Sequence, residues 1–251
     1  MRGIQGTSVK KKNIRGKIFV KALEACQRSK VILLILVCIL GTLLAILSVH
    51  WYFALAPLLF IPYYKELIFE ILVIIHTIEH TSGSFPWYTK VDDDGIYLGA
   101  IPILEDHSYI ISKKLNINAV LTVNEEYELK CNTLVGRPVT HDEWKSLGVE
   151  NLVLNSPDFL PPSFDLLLQG SDWINKQVVQ HKKVYVHCKS GMGRSASIVA
   201  AYLMRYKFMD PHSARAVLAI KRPVVFSTKS KQLKNLINFE SWLRNRKEFV
   251  R

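Results

Sequence analysis

The most constraining stretch of this chain is Lys183-Val-Tyr-Val-His-Cys-Lys-Ser-Gly-Met-Gly-Arg-Ser-Ala-Ser-Ile-Val-Ala-Ala-Tyr-Leu-Met204. It reads as an apolar strand, then a seven-residue turn, then an apolar helix. Cys188 opens the turn and Arg194 closes it, with five residues between them. Gly191 and Gly193 let the backbone curl so that successive N–H groups point inward, and inward N–H groups at a helix N-terminus bind an anion without any side chain. Arg194 adds a planar fork that grips two phosphate oxygens at once. Lys189, Ser190, Gly191, Met192 and Gly193, together with Ser195, form the candidate substrate-binding set.

A positive cradle of this kind favours thiolate over thiol, so Cys188 is expected to have a lowered pKa and to act as a nucleophile. The reaction that fits is in-line attack on phosphorus, giving a phosphocysteine that water then hydrolyses, with the equatorial oxygens held by the loop N–H groups and Arg194. No metal and no cofactor is called for, and the chain lacks the G-x-x-x-x-G-K-[ST] pattern of a nucleotide-binding loop. A departing alkoxide needs a proton. Asp158, thirty residues before Cys188 in the turn-rich stretch Asn155-Ser-Pro-Asp-Phe-Leu-Pro-Pro-Ser163, is the candidate general acid. The alternative for Asp158 is a plain turn residue after Pro157. Ser195 is placed to donate to the sulfur, to cap the following helix, or both. His187 precedes the nucleophile on a strand and is expected to hydrogen-bond rather than act as a base.

Around this motif, short apolar runs alternate with helical patterns. Strands are predicted at 96–101, 119–123, 152–154 and 184–187, and helices at 165–180, 195–206, 211–220 and 229–244. The expected fold class is α/β, a central, mostly parallel sheet flanked by helices, over residues 85–251.

The N-terminal part differs in kind. Residues 31–64 contain no Lys, Arg, Asp or Glu, more than the roughly 20 apolar residues that a membrane-spanning helix needs. Residues 1–30 hold nine Lys or Arg against one acid, Glu24, so most of the net charge of +12 lies there. The basic balance therefore gives no reason to expect nucleic-acid binding by the globular part, and it fits a targeting or juxtamembrane segment. From Lys65 onward Leu67, Ile68, Ile71, Leu72, Ile75 and Ile78 recur at helical spacing, which predicts an amphipathic helix in a membrane interface. Residues 31–80 are thus expected to be a membrane anchor, either one crossing plus an interfacial helix or a hairpin. Positive charge marks the cytosolic or matrix side, so one crossing puts the globular part on the other face. His76, Glu79 and His80 match the H-x-x-E-H zinc spacing, but no third ligand lies nearby and the match is read as coincidence. The four cysteines show no C-x-x-C, so neither a disulfide framework nor a zinc site is expected.

The motif HCKSGMGRS, with Trp87-Tyr88, Tyr97-Leu-Gly-Ala-Ile-Pro102, Val123-Asn-Glu-Glu-Tyr-Glu128, Trp144-Lys-Ser-Leu-Gly-Val149, Asp158-Phe-Leu-Pro-Pro-Ser-Phe164 and Lys221-Arg-Pro-Val-Val225, resembles the protein tyrosine phosphatase superfamily on its dual-specificity side. Within it the stretch is most similar to the mitochondrial phosphatidylglycerophosphate phosphatases. The resemblance runs over about residues 86–245, and Asn-Glu-Glu-Tyr-Glu is its most group-specific segment. It implies Cys188 as nucleophile, Arg194 as phosphate ligand, Asp158 as acid, and a phospholipid substrate at the mitochondrial inner membrane, with an endoplasmic reticulum or plastid membrane as alternative. At one position the chain departs from the group, which usually carries a basic residue where Met192 stands here. Lys221 and Arg222 are expected near the mouth of the site. The competing expectations are a dual-specificity protein phosphatase, a phosphoinositide phosphatase and, from another class, a silent phosphate-binding scaffold.

Overall fold

The structure, a computed structural model, describes residues 36–43 and 63–246. Among these residues no helix is long and apolar enough to cross a membrane. Most of the uncharged run lies outside the described residues, as do residues 1–30, and only residues 36–43 of the predicted crossing are seen, as helix. The chain forms two compact units, residues 1–75 with 132–136 and residues 76–131 with 137–251.

Helix α1 (Tyr64–Ser82) begins in the first unit and ends in the second. The expected helical period is present. Phe69, Glu70 and Val73 are buried, whereas Ile68, Ile71, Ile75 and Ile78 form an exposed apolar stripe. In the first unit Glu70 accepts a hydrogen bond from the Leu134 N–H at 2.7 Å, so a buried carboxylate has a donor. At the far end His76 meets Glu79 at 3.0 Å and His80 meets the Phe85 carbonyl at 2.9 Å.

The second unit is built on a five-stranded sheet, β1 (Tyr88–Lys90), β2 (Ile96–Gly99), β3 (Ala119–Asn124), β4 (Glu150–Asn155) and β5 (Val184–His187), in the spatial order β1-β2-β5-β3-β4. Only the β1–β2 pair is antiparallel. β3 and β5 are buried at every position, which explains their continuous apolar runs: a central parallel strand is covered on both faces. β1 was missed in the sequence because three residues carry no period.

On one face lie the short α2 (His107–Tyr109), the π-type turn that continues it over Ile110–Lys114, and α4 (His141–Ser146). Their apolar side chains gather around Trp144, with Ile111, Ile117, Val120 and Tyr185. α3 (Glu126–Lys130) follows directly from the end of β3. The other face carries α5 (Phe164–Val179), α6 (Arg194–Tyr206), α7 (Pro211–Lys221) and α8 (Lys231–Asn245). α6 packs on β2, β3 and β5 and touches α5, α7 and α8. A helix enclosed in this way has no polar face, which accounts for the apolar sequence Ala-Ser-Ile-Val-Ala-Ala-Tyr-Leu-Met. Ser163, Asp210 and Ser230 cap α5, α7 and α8 with their side-chain oxygens.

The parallel strands point the same way, so the ends of β3, β4 and β5 meet at one edge of the sheet, where open α/β sheets place their ligands. α5 approaches α6 through Gly170, where an added Cβ would lie 2.6 Å from Ile198 Cγ2. Gly170→Ala is expected to lower stability by about 1–3 kcal/mol through overpacking, measured as a shift of the urea midpoint followed by near-ultraviolet circular dichroism.

Candidate active site

β5 delivers Cys188 to the sheet edge, where the residue is buried with a free thiol. The shape of the loop that follows is set by where its carbonyls go. The Lys189 carbonyl accepts from Ile101 N–H (3.1 Å), that of Ser190 from Arg222 Nη2 (2.9 Å) and that of Gly191 from Arg222 Nε (3.2 Å). The Met192 carbonyl accepts from Phe226 N–H (2.9 Å), and the Gly193 carbonyl from the Ser197 N–H (2.9 Å) and hydroxyl (3.0 Å). In a trans peptide the N–H points opposite to the preceding carbonyl. Five carbonyls drawn outward therefore turn the following N–H groups the other way, and that of Gly191 reaches the sulfur. The loop is shaped mostly by partners distant in sequence, Ile101, Arg222 and Phe226, and not by its glycines alone.

The two glycines differ. Gly191 has φ 71°, and a Cβ there would lie 2.5 Å from the Gly99 carbonyl carbon, so a side chain is excluded on both counts. Gly193 sits at the N-cap of α6 with φ −117°, which other residues adopt.

Arg222 corrects one expectation. It is not at the mouth of the site but 1% exposed behind the loop, donating to two loop carbonyls, to the Pro86 carbonyl at 2.8 Å and to Thr89 Oγ1 at 3.2 Å. Lys221, its neighbour, is exposed.

Cys188 Sγ accepts from Gly191 N–H at 3.3 Å and from the Ser195 hydroxyl at 3.2 Å. Burial pushes the thiol up. The Arg194 charge and the hydrogen bonds from Ser195 and Gly191 outweigh it, so the net shift is downward. His187 pairs in register with Thr122, and its Nε2 lies 3.0 Å from Thr122 Oγ1. Burial lowers its pKa to about 3, leaving a neutral imidazole that holds the strand end.

Arg194, 3% exposed, meets Glu128 with both terminal nitrogens, Nη1 at 2.6 Å and Nη2 at 2.9 Å. Nη1 also donates to the Ser156 carbonyl at 3.0 Å, and Nη2 lies 2.9 Å from Asp158 Oδ1. Glu128 is fully buried and accepts in addition from Asn124 Nδ2 (3.0 Å) and the Glu125 N–H (2.7 Å). Glu128 belongs to the Asn-Glu-Glu-Tyr-Glu segment, which was group-specific by resemblance but had no role assigned from sequence. A carboxylate on a five-residue helix is legible as an arginine partner only once β3 and β5 are adjacent.

Asp158 lies against the loop that follows Cys188. It pairs with Lys189 as well as with Arg194, and the Lys189 ammonium also lies 4.6 Å from the Phe159 ring centroid. Lys189 is 5% exposed, so its charge is directed at the carboxylate of the neighbouring loop. Of the other loop residues, Ser190, Met192 and Gly193 are half-buried and Ser195 is buried.

The dual specificity phosphatase catalytic-domain profile matches residues 96–242. The chain is 37% identical over 139 residues to the human "Phosphatidylglycerophosphatase and protein-tyrosine phosphatase 1", covering 54% of this chain and 65% of that protein. It is 35% identical over 144 residues to the Arabidopsis thaliana "Phosphatidylglycerophosphate phosphatase PTPMT1", covering 57% of this chain and 40% of that one. Less than two thirds of the length of either relative is therefore spanned. The rat counterpart of the human protein is 35% identical, with 61% of this chain and 76% of the relative covered. The crystal structure of PTPMT1 in complex with PI(5)P superposes with a TM-score of 0.57 at 32% identity, covering 64% of this chain and 99% of that one.

Two outcomes are expected from this geometry. Glu128→Ala leaves a buried guanidinium without its main partner and should lower stability by about 3–5 kcal/mol, read from urea unfolding. Iodoacetate should alkylate Cys188 with a midpoint pH below that of an ordinary thiol, about 8.5. Ser195→Ala, by removing a donor to the thiolate, should move that midpoint upward.

Proposed function

Because the chain belongs to the dual specificity phosphatase catalytic-domain family, and is a cysteine-dependent phosphatase, we propose that it hydrolyses phosphatidylglycerophosphate to phosphatidylglycerol at a membrane, through a phosphocysteine formed on Cys188. The observation that carries the chemistry is the Cys188 sulfur accepting from the Gly191 N–H and the Ser195 hydroxyl, in a loop whose carbonyls are drawn outward, with the Arg194 charge lowering its pKa. The substrate assignment is supported by the names of the human, rat and Arabidopsis relatives.

In this reading the Cys188 thiolate attacks phosphorus and the P–O bond to the glycerol carbon's oxygen breaks on the opposite side. Charge on the three equatorial oxygens is taken up by the loop N–H groups and by the Arg194 hydrogen that now points to Asp158. Asp158, released from Arg194 by the phosphate and carrying a proton taken up from solvent, protonates the leaving alkoxide. It then takes a proton from the water that attacks the phosphocysteine, while the Ser195 hydroxyl donates to the departing sulfur. The outcome is one alcohol and one inorganic phosphate per water consumed.

The membrane setting is supported by the uncharged run at 31–64 and by the exposed isoleucine stripe of α1, which suits a helix lying in a lipid interface. The mitochondrial inner membrane is the proposed location. A phosphoinositide substrate is the second reading, favoured by the PI(5)P complex of PTPMT1.

Phosphate release by the full chain, with phosphatidylglycerophosphate, phosphoinositides and a phosphotyrosine peptide at equal concentration, tests the assignment. A kcat/KM advantage of about 100-fold, or 2.7 kcal/mol, for phosphatidylglycerophosphate is expected, and a preference for peptide or inositol lipid would replace it. Cys188→Ser should abolish turnover. Unchanged cellular function in that variant would point instead to a phosphate-binding scaffold. Asp158→Asn should slow alkyl phosphates by about 10²–10⁴-fold but p-nitrophenyl phosphate much less, since that leaving group needs no proton.

A further inference from the structure

The rim around the catalytic loop has a composition that the chemistry does not explain. The loop that carries Asp158 continues through Phe159 and Leu160, 67% and 48% exposed, before Pro161 and Pro162. Phe159 has φ 58°, a left-handed conformation that is strained for an aromatic residue. The fold thus holds two large apolar side chains outward beside the general-acid candidate, although burying them would be favourable.

The other side of the rim is basic. Residues 211–239 contain six Lys or Arg and no Asp or Glu. Arg222 and Arg215 are used internally, the latter donating to the Phe226 carbonyl at 3.0 Å. Lys229, Lys231 and Lys234 are exposed, and among the described residues none has an acidic partner. Lys231 opens α8, whose first turn has no acid, so these charges oppose the helix dipole and are not explained by helix stability. Lys231 and Lys234 share a helix face.

Three contacts fix this segment beside the site. Phe226 N–H holds the Met192 carbonyl, Gln232 lies against Gly193, and Asn235 Nδ2 donates to the Pro162 carbonyl at 2.8 Å. The lysines and the Phe159–Leu160 tip therefore flank the same catalytic loop.

We propose that this rim is a docking surface for an anionic phospholipid bilayer, with Phe159 and Leu160 entering the interface and Lys229, Lys231 and Lys234 facing lipid phosphates. Apolar insertion beside a cluster of lysines is the chemistry of interfacial lipid binding. A soluble phosphopeptide would use neither the paired apolar tip nor a one-sign field of this extent. The inference deepens the phospholipid reading and rests on it: docking through the rim presents a headgroup phosphate directly to Cys188.

The test uses the full chain with vesicles of phosphatidylcholine, with or without phosphatidylserine, neither lipid being a phosphomonoester. Hydrogen–deuterium exchange should show protection of residues 157–163 and 227–235 on the anionic vesicles and none on phosphatidylcholine alone. In the triple variant Leu160→Ser, Lys229→Gln, Lys231→Gln that protection should vanish. Its kcat/KM for vesicle-embedded phosphatidylglycerophosphate should fall about tenfold, with p-nitrophenyl phosphate turnover unchanged. Absence of rim protection while the enzyme hydrolyses bilayer substrate would overturn the docking surface and leave the substrate assignment intact. An equal loss on phosphotyrosine peptide would overturn it in favour of a protein partner. Rim protection without hydrolysis of phosphatidylglycerophosphate would sustain the docking surface and remove only the substrate.

Discussion

A guanidinium buried to 3% exposure cannot stand alone, and the ends of three strands are arranged around that requirement. Arg194 begins α6, directly after the loop that leaves β5. Glu128 comes from the helix that leaves β3, and the Ser156 carbonyl from the loop that leaves β4. Glu128 is held in turn by Asn124 and the Glu125 N–H, so the carboxylate that faces Arg194 is itself fixed in place. A two-point pair of this kind sets the guanidinium plane. The positions of β3, β4 and β5 thereby become part of the site's electrostatics.

A second buried arginine works on the same loop from outside. Arg194 lies within the cradle and lowers the Cys188 pKa through its charge, whereas Arg222 pulls two carbonyls away from the sulfur. The two act through different physics. One supplies a full charge, the other orients peptide dipoles so that their positive ends face inward. Removing the outward partners would let the loop relax into turns that satisfy their own carbonyls, and the cradle would be lost even with Cys188 and Arg194 in place.

The acid loop joins the chemistry to the rim. Asp158 is held by Lys189 and Arg194, and the next residue, Phe159, is turned outward in a left-handed conformation. The position of the carboxylate and the exposure of the aromatic ring follow from one backbone reversal, locked by Pro161 and Pro162 and by Asn235 of α8. Any surface that engages the tip therefore acts on the loop that carries Asp158.

The strand-turn-helix unit around Cys188, the helices at 165–180, 195–206, 211–220 and 229–244, and the approach of Asp158 were legible in the chain because each depends on local period, turn chemistry or a short motif. The predicted span of β3 differs from the observed one by a single residue, since a central parallel strand is an unbroken apolar run, while β4 extends beyond its predicted span because the residues at its ends are polar. Glu128 as the partner of Arg194, Arg222 behind the loop rather than at its mouth, and Lys189 turned to Asp158 were not legible, for each joins residues at least thirty apart. The candidate nucleophile, its loop and the fold that carries them can be read from the chain alone, because covalent neighbours and periodic patterns encode them. How those groups are charged and aimed comes from the folded chain, because burial and the pairing of distant polar groups exist only once the strands lie side by side.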